Sequence, residues 1–379
     1  MKRVYLDYNA TTPLRAEARA AMLEAMDLVG NPASVHAEGR AAKMLMERAR
    51  GQVAALVGCD VSEVIFTSGA SEAIATCGRD AGTCLGADIE HEAVRAWIGG
   101  EAPLAVSSDG VVDLAALPDG AFAGRDGVIV YLQVANSETG IVQPAELADH
   151  LARLGLATGQ VVRDAVQAAG KLADVGRWQA KAGGWHARLC LSAHKLGGPK
   201  GVGALIAGPE YTPGAMQPMI PGGGQEKGRR SGTENLIGIA GFGAAAEAAR
   251  RDLAAGRWEE VARLRDLLEE ALEAASATTT FVGKGGARLP NTTCLITPGW
   301  KGETQVMQMD LAGFAISAGS ACSSGKVKPS AVLRALGYDE KEAASAIRVS
   351  LGLETTRDNV LRFADAWAAT LKKHETRAA

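Results

Sequence analysis

Lys195 follows the apolar run of CLSAHKLGGPKGVG and precedes glycines that leave its amine uncrowded, which makes it a candidate Schiff-base former. Asp164 closes another apolar run, in VVRDAVQAAGK, where a carboxylate serves either as the cap of the next helix or as a ligand group at a strand end. In IFTSGASEA, Ser68, Gly69, Ala70 and Ser71 stand between a strand and a helix, where free N–H groups and hydroxyls can hold a phosphate. One Gly/Ser turn alone is weak evidence. A phosphate cradle, an acid at one strand end and a lysine at a later one are together the parts that hold pyridoxal phosphate. The acid keeps the pyridine nitrogen protonated, so that the ring can accept electrons from a substrate Cα. His91 of ADIEHEAV either adds an aromatic face over that ring or is an ordinary polar histidine.

A thiol completes the set. Cys322 lies in SAGSACSSGKVKPS beside Ser320, Ser323, Ser324 and Gly325, a run too polar and flexible for a packed core. It is read as solvent-reachable, and is either a working nucleophile or an inert loop thiol. Cys59, Cys77, Cys84, Cys190 and Cys294 sit mostly among apolar or small residues and read as core positions. With no C-x-x-C pair, the six cysteines suggest reduced thiols, not a zinc site or a disulfide framework.

These residues need a frame. Leu45, Ala49, Val53 and Leu56 repeat on one helical face before a Gly58 stop, and the strand-like EVIF follows. GVIVYLQV, GQVVRD, RLCLS and VGALIAG continue the alternation of strands with helical or irregular stretches, which implies a mostly parallel sheet covered on both faces. In such an α/β domain the ligand sits at the carboxyl ends of the strands. The Ala- and Gly-rich LIGIAGFGAAAEAA suits a closely packed internal helix and is too short to span a bilayer. After about Gly243 the pattern changes to a long amphipathic helix with Val261, Leu264, Leu268 and Leu272 in register, the start of a second domain. A terminal helix aligns Val360, Phe363, Ala364, Trp367 and Leu371, with Thr355 and Asp358 as its start signal. The 379 residues carry 40 basic and 43 acidic side chains, a balance that does not point to nucleic acid or an anionic membrane. No apolar leader follows MKRVYLDYNATTP, so a cytoplasmic protein is expected.

LDYNATTP, GNPASVH, FTSGASEA, EHEAV, ANSETGIVQP, DAVQAAGK, SAHKLGGPKGVG, GGGQEKGRRSGT, SAGSACSSG and AIRVSLG follow one another in an order that resembles the cysteine desulfurases of the NifS/IscS type, within the class V aminotransferases. The likeness runs over nearly the whole chain. It implies the aspartate-aminotransferase fold (fold type I), with a mostly parallel seven-stranded sheet in a large cofactor-binding domain, residues 14–245. A small α/β domain would comprise residues 1–13 and 246–379. Carried over residue by residue, the resemblance makes Lys195 the attachment point of pyridoxal 5'-phosphate and Asp164 the partner of its pyridine nitrogen. Gln167 would meet the phenolic oxygen, and His91 would stack on the ring. Ala70, Ser71, Ser192 and His194 would contact the phosphate, while Thr233 would reach the phosphate of a second subunit in a homodimer. Arg348 would clamp the substrate carboxylate with its bidentate fork, with Asn31 as a further candidate for that pocket. No metal site is implied, although Cys322 is a candidate transient iron–sulfur ligand.

The activity implied is removal of sulfur from L-cysteine. Lys195, displaced from the cofactor, takes the Cα proton; the Cys322 thiolate attacks the substrate sulfur and keeps it as a persulfide while alanine leaves. A free thiol titrates near ~8.5, so His91 or the substrate is expected to help deprotonate Cys322. The acceptor would be an iron–sulfur scaffold or another sulfur-accepting protein. The long loop around Cys322 resembles the family group with a mobile catalytic loop, which predicts weak order from Ala321 to Lys328.

Two departures stand out. Ser137 occupies a position where the family usually has a second asparagine after the one at Asn136, both being cofactor-side contacts, and the stretch from Ser71 to His91 is short. The alternatives are another enzyme of the same fold, such as an aminotransferase or a selenocysteine lyase, or a sulfur-pathway scaffold with a decayed site. Cys322 argues against an aminotransferase; Lys195, Asp164, His91, Arg348 and Cys322 together argue against decay.

Overall fold

The computed structural model describes residues 3–79, 81–99, 104–125, 127–145, 148–156, 160–176, 187–208, 217–319 and 329–378. The first part of the chain forms β1 (Val4–Tyr5), α1 (Ala16–Met26), α2 (Ala37–Val57), β2 (Val64–Thr67), α3 (Ala70–Gly78), β3 (Thr83–Leu85), α4 (Glu92–Arg95), β4 (Val128–Gln133), α5 (Ala148–Arg153), β5 (Val161–Asp164), β6 (Arg188–Ser192) and β7 (Gly203–Ile206). The second part forms α6 (Leu236–Ala254), α7 (Arg257–Ala275), β8 (Thr280–Phe281), β9 (Thr292–Ile296), α8 (Gly302–Leu311), β10 (Phe314–Ala315), α9 (Ala331–Ala335), α10 (Glu340–Ala344), β11 (Ala346–Ser350) and α11 (Arg357–Ala378).

Strands β2 to β7 make one sheet in the order β2-β7-β6-β5-β4-β3. The β3-β4, β4-β5 and β5-β6 pairs are parallel, whereas β7 is antiparallel to both its neighbours. Because β7 alone is reversed, β2 runs with β3 to β6, and all five end on the same edge. The strands read as continuous apolar runs because both faces are covered. Val64 and Phe66 of β2 join one core, shared with Leu189 and Leu191 of β6. Ile65 and Cys190, between them, join the core on the opposite face.

The expected seven strands are six among the described residues. At the β3 edge, Leu104 N–H donates to Gly86 O, and Val106 then bridges back to Val112. That segment pairs with its own turn and does not extend along β3, so it is not a seventh strand. The short Ser71–His91 stretch keeps a helix, α3, of nine residues.

Helix α2 ends at Gly58, whose φ of 71° gives the left-handed cap foreseen from the sequence. Helix α6 packs so closely on α2 that a Cβ at Gly243 would stand 2.6 Å from Ala49 Cα. It runs unbroken past residue 245, and the break before α7 is the Ala255–Gly256 turn, Gly256 having φ 67°. Val4 and Leu6 lie in a separate core with Trp258, Leu268, Leu272, Phe363 and Trp367. β1 pairs there with β10. The start of α11 is displaced by one residue from the sequence expectation: Thr356 and Asn359 exchange side chain–backbone bonds, while Thr355 Oγ1 accepts from Gly352 N–H instead.

The tight α2–α6 seam gives the first test. Gly243→Ala pushes a methyl against backbone, and a loss of about 1–3 kcal/mol is expected, seen as a lower urea midpoint than wild type.

Candidate active site

The shared carboxyl edge of the strands brings together residues that are far apart in sequence. Ser68–Ala70 follow β2, Asp164 ends β5, Ser192 ends β6, and a single 3-10 turn over Ala193–Lys195 presents the lysine. His91 enters from the loop after β3, where its Nδ1 accepts the Ala93 N–H and caps α4. That bond leaves the proton of the neutral ring on Nε2. His91, Lys195, Ser137 and Arg348 line one cavity of about 320 Å³.

Lys195 Nζ donates to the backbone oxygens of Asn9 (2.6 Å) and Ala10 (3.0 Å). The Asp164 carboxylate accepts the Val166 N–H at 2.9 Å, the one hydrogen bond its side chain makes among the described residues. Burial pushes its carboxyl up, and the nearby charges of His91 and Lys195 pull it down. A carboxylate so placed at a strand end calls for a cation, which a protonated pyridine nitrogen supplies. His194 is held at about 4 by burial and by Lys195 and Lys200, so it is neutral at physiological pH; its Nδ1 lies 3.1 Å from Thr11 Oγ1.

The N-terminus of α3 is exposed at Ser71 and backed by Gly203, where a Cβ would come within 2.8 Å of Gly69 Cα. No atom lies within 4 Å of a Cβ built on Gly69 itself. Only glycine on β7 lets this turn lie so close, and the turn presents the N–H end of a helix. Cradle, acid and lysine together fit pyridoxal phosphate.

Arg348 is buried, with Nη2 donating to Asp7 Oδ1 (2.7 Å) and Nη1 to the Ser137 backbone oxygen (3.1 Å). Its Nε is buried with no hydrogen-bond partner among the described residues. Gln167 is buried behind Asn9, to whose oxygen its Nε2 donates.

Not every expected residue converges here. Asn136 is used locally: its Oδ1 accepts from Glu138 N, Thr139 N and Thr139 Oγ1, and its Nδ2 donates to Ile89 O. It shapes the turn and does not line the cavity. Asn31 is exposed and accepts the Ala33 N–H, outside the cavity that holds Lys195. Thr233 is exposed, and Cys322 lies outside the described residues, as does the stretch expected to be weakly ordered.

Four residues escaped the sequence reading: Asn9, Glu90, Glu138 and Lys171. Each sits inside a quoted motif, LDYNATTP, EHEAV, ANSETG and DAVQAAGK, so the signal was proximity to residues already chosen. Glu90 is buried beside His91, and its Oε1 accepts the Gln133 N–H. Burial first, then Asp164, push its carboxyl up to about 8. Glu138 is also raised by burial, against the Ser330 hydroxyl that donates to it.

Residues 4–363 match the aminotransferase class-V family. The chain is 40% identical to a cysteine desulfurase of Cereibacter sphaeroides, over 96% of this chain and 94% of that one. It is 39% identical to the cysteine desulfurase IscS of an Anaeromyxobacter species, over 94% and 89%. The fold superposes on a NifS-like protein from Rickettsia africae with a TM-score of 0.84 at 29% identity, covering 98% of this chain and 99% of the other.

Glu90 provides a pH test. With a carboxyl at about 8, against about 4.5 in the unfolded chain, the folded protein holds a proton that the unfolded chain has lost. Its contribution is therefore full below 4.5 and declines as pH rises toward 8, by up to about 1.4 kcal/mol per pH unit. Urea midpoints of wild type and Glu90→Gln between pH 5 and 8 should diverge accordingly, wild type losing ground as pH rises; a constant difference would mean an ionised Glu90.

Proposed function

As a member of the class-V aminotransferase family, and within it of the cysteine desulfurases, the chain is a pyridoxal-phosphate enzyme acting on L-cysteine; we propose that Cys322 carries the extracted sulfur as a persulfide to an acceptor of iron–sulfur cluster assembly. The observation that supports it best is the grouping of Lys195, His91, Ser137 and Arg348 around one cavity. Lys195 would hold the cofactor, Asp164 its pyridine nitrogen, Gln167 its phenolic oxygen, and Ala70, Ser71, Ser192 and His194 its phosphate. Bound there, pyridoxal phosphate supplies an electron sink for the bonds at the substrate Cα.

The chain's own residues do the rest. Arg348, steadied by Asp7, orients the substrate through its carboxylate, and the unclaimed Nε is one contact it can offer. Lys195 takes the Cα proton, with the Asn9 and Ala10 carbonyls keeping its amine in the cavity. The Cys322 thiolate attacks the substrate sulfur; the new S–S bond forms as the C–S bond breaks, and the carbon skeleton, reprotonated, leaves as alanine.

Exposed Thr233 would complete the phosphate site of a second copy in a homodimer, and we read the two bodies of the chain as dividing at Gly256. We place the enzyme in the cytoplasm; among the described residues no helix is long and apolar enough to cross a membrane.

Alanine release from L-cysteine, with and without scaffold proteins, tests the assignment. Cys322→Ala should lose on the order of 10³-fold in alanine release while keeping the visible absorption of the bound cofactor. Lys195→Ala should lose that absorption. Undiminished turnover by Cys322→Ala would instead indicate an aminotransferase-like reaction.

A further inference from the structure

Lys171 is buried and takes no part in the chemistry derived above, yet it lies one turn beyond Gln167 and close to Lys195. Its Nζ donates to Gln167 Oε1 at 2.9 Å and to Asn9 Oδ1 at 3.1 Å. Gln167 Nε2 in turn donates to the Asn9 backbone oxygen at 2.9 Å. Both ends of the Gln167 amide are therefore committed. Turning it over would set an NH₂ group against Lys171 Nζ and a carbonyl against Asn9 O, a donor facing a donor and an acceptor facing an acceptor in a buried site. Asn9 cannot relax to relieve the conflict. Its Oδ1 also accepts from Asn291 Nδ2, and its Nδ2 donates to Thr292 Oγ1 and Ser137 O.

We propose that Lys171 is a positioning residue for the cofactor, locking the Gln167 amide so that the remaining Nε2–H is offered to the cofactor's phenolic oxygen. The inference rests on the reading that Gln167 meets that oxygen. Lysine suits the role because its long stem reaches the site from inside the core while its amine supplies two donors at one point. Burial first, then the cationic groups of Lys195 and Arg348, push Lys171 well below the usual lysine value. Replacing it with methionine removes the donors while keeping most of the side-chain volume.

The pH midpoint of the visible absorption band, titrated on cofactor-loaded protein, reads the effect without reference to turnover. A phenolic oxygen that loses a donor holds its proton more strongly, so the midpoint should rise. Gln167→Leu and Lys171→Met are each expected to raise it by at least about half a pH unit, and the double variant should rise no further than Gln167→Leu alone. Should Lys171→Met not accumulate as folded holoprotein, Lys171→Leu tests the same loss. A midpoint moved by Gln167→Leu but not by Lys171→Met overturns the role of Lys171 and leaves the Gln167 assignment standing. If Gln167→Leu itself leaves the midpoint unmoved, the Gln167 assignment falls and this inference with it. Additive shifts in the double variant would show Lys171 acting by some other route, which also overturns the proposal.

Discussion

The candidate site is organised around the buried amide and carbonyl of Asn9. The Asn9 backbone oxygen accepts from Lys195 and Gln167, its Oδ1 from Lys171 and Asn291, and its Nδ2 donates to Ser137 O and Thr292 Oγ1. Its N–H donates to Ser350 Oγ. One side chain and one peptide thus connect the lysine turn after β6, the turn after β5, the ANSETG turn, β9 and β11. Each bond is short-range, but the groups are buried, so the loss of any one leaves an unpaired polar atom in a poor solvent for it. The knot fixes the relative placement of the two halves of the site more firmly than apolar packing could, because hydrogen bonds are directional.

A second constraint is charge. Asp164, Glu90, Lys171, Lys195 and Arg348 crowd one edge of the sheet, and burial penalises every charged form. Three of the shifts go toward neutrality: Asp164 and Glu90 upward, Lys171 downward. Arg348 and Asp7 meet in a salt bridge at 2.7 Å, a strong donor facing a strong acceptor. The arrangement is suited to a cofactor bearing both a phosphate and a basic ring nitrogen, since each supplies a charge that the protein edge is short of.

Much of this was legible in the sequence, and the parts that were not share a cause. Continuous apolar runs made the strands visible, and because both faces are covered, Val64 and Phe66 join one core and Ile65 the other. Lys195 and Asp164 stood out because each closes or closely follows an apolar run at a strand end, whereas His91, in the loop after β3 at the cap of α4, was offered on its residue type alone. The seventh strand implied by the resemblance is not found among the described residues, where the segment beside β3 pairs with its own turn at Val106–Val112. An asparagine beside a turn serves either the turn or a ligand, and the Oδ1 of Asn136 accepts three local bonds within the turn. Asn9 and Lys171 were missed because their partners are up to hundreds of positions away, and no spacing rule reaches across the interval from Asn9 to Asn291.

Ser137 stands where the family resemblance leads one to expect asparagine, and the structure ties this position to the site through its backbone. What joins position 137 to the knot is its backbone oxygen, which accepts from both Asn9 Nδ2 (3.2 Å) and Arg348 Nη1 (3.1 Å). Those bonds are indifferent to the side chain. The adjacent Asn136 holds the turn that aims this carbonyl, so local geometry at 137 is set by its neighbour. Ser137 lines the cavity with Lys195 and Arg348, and its side chain is smaller than that of asparagine by two heavy atoms. Serine at this position therefore leaves a smaller, hydroxyl-bearing side chain without disturbing the backbone clamp on Arg348.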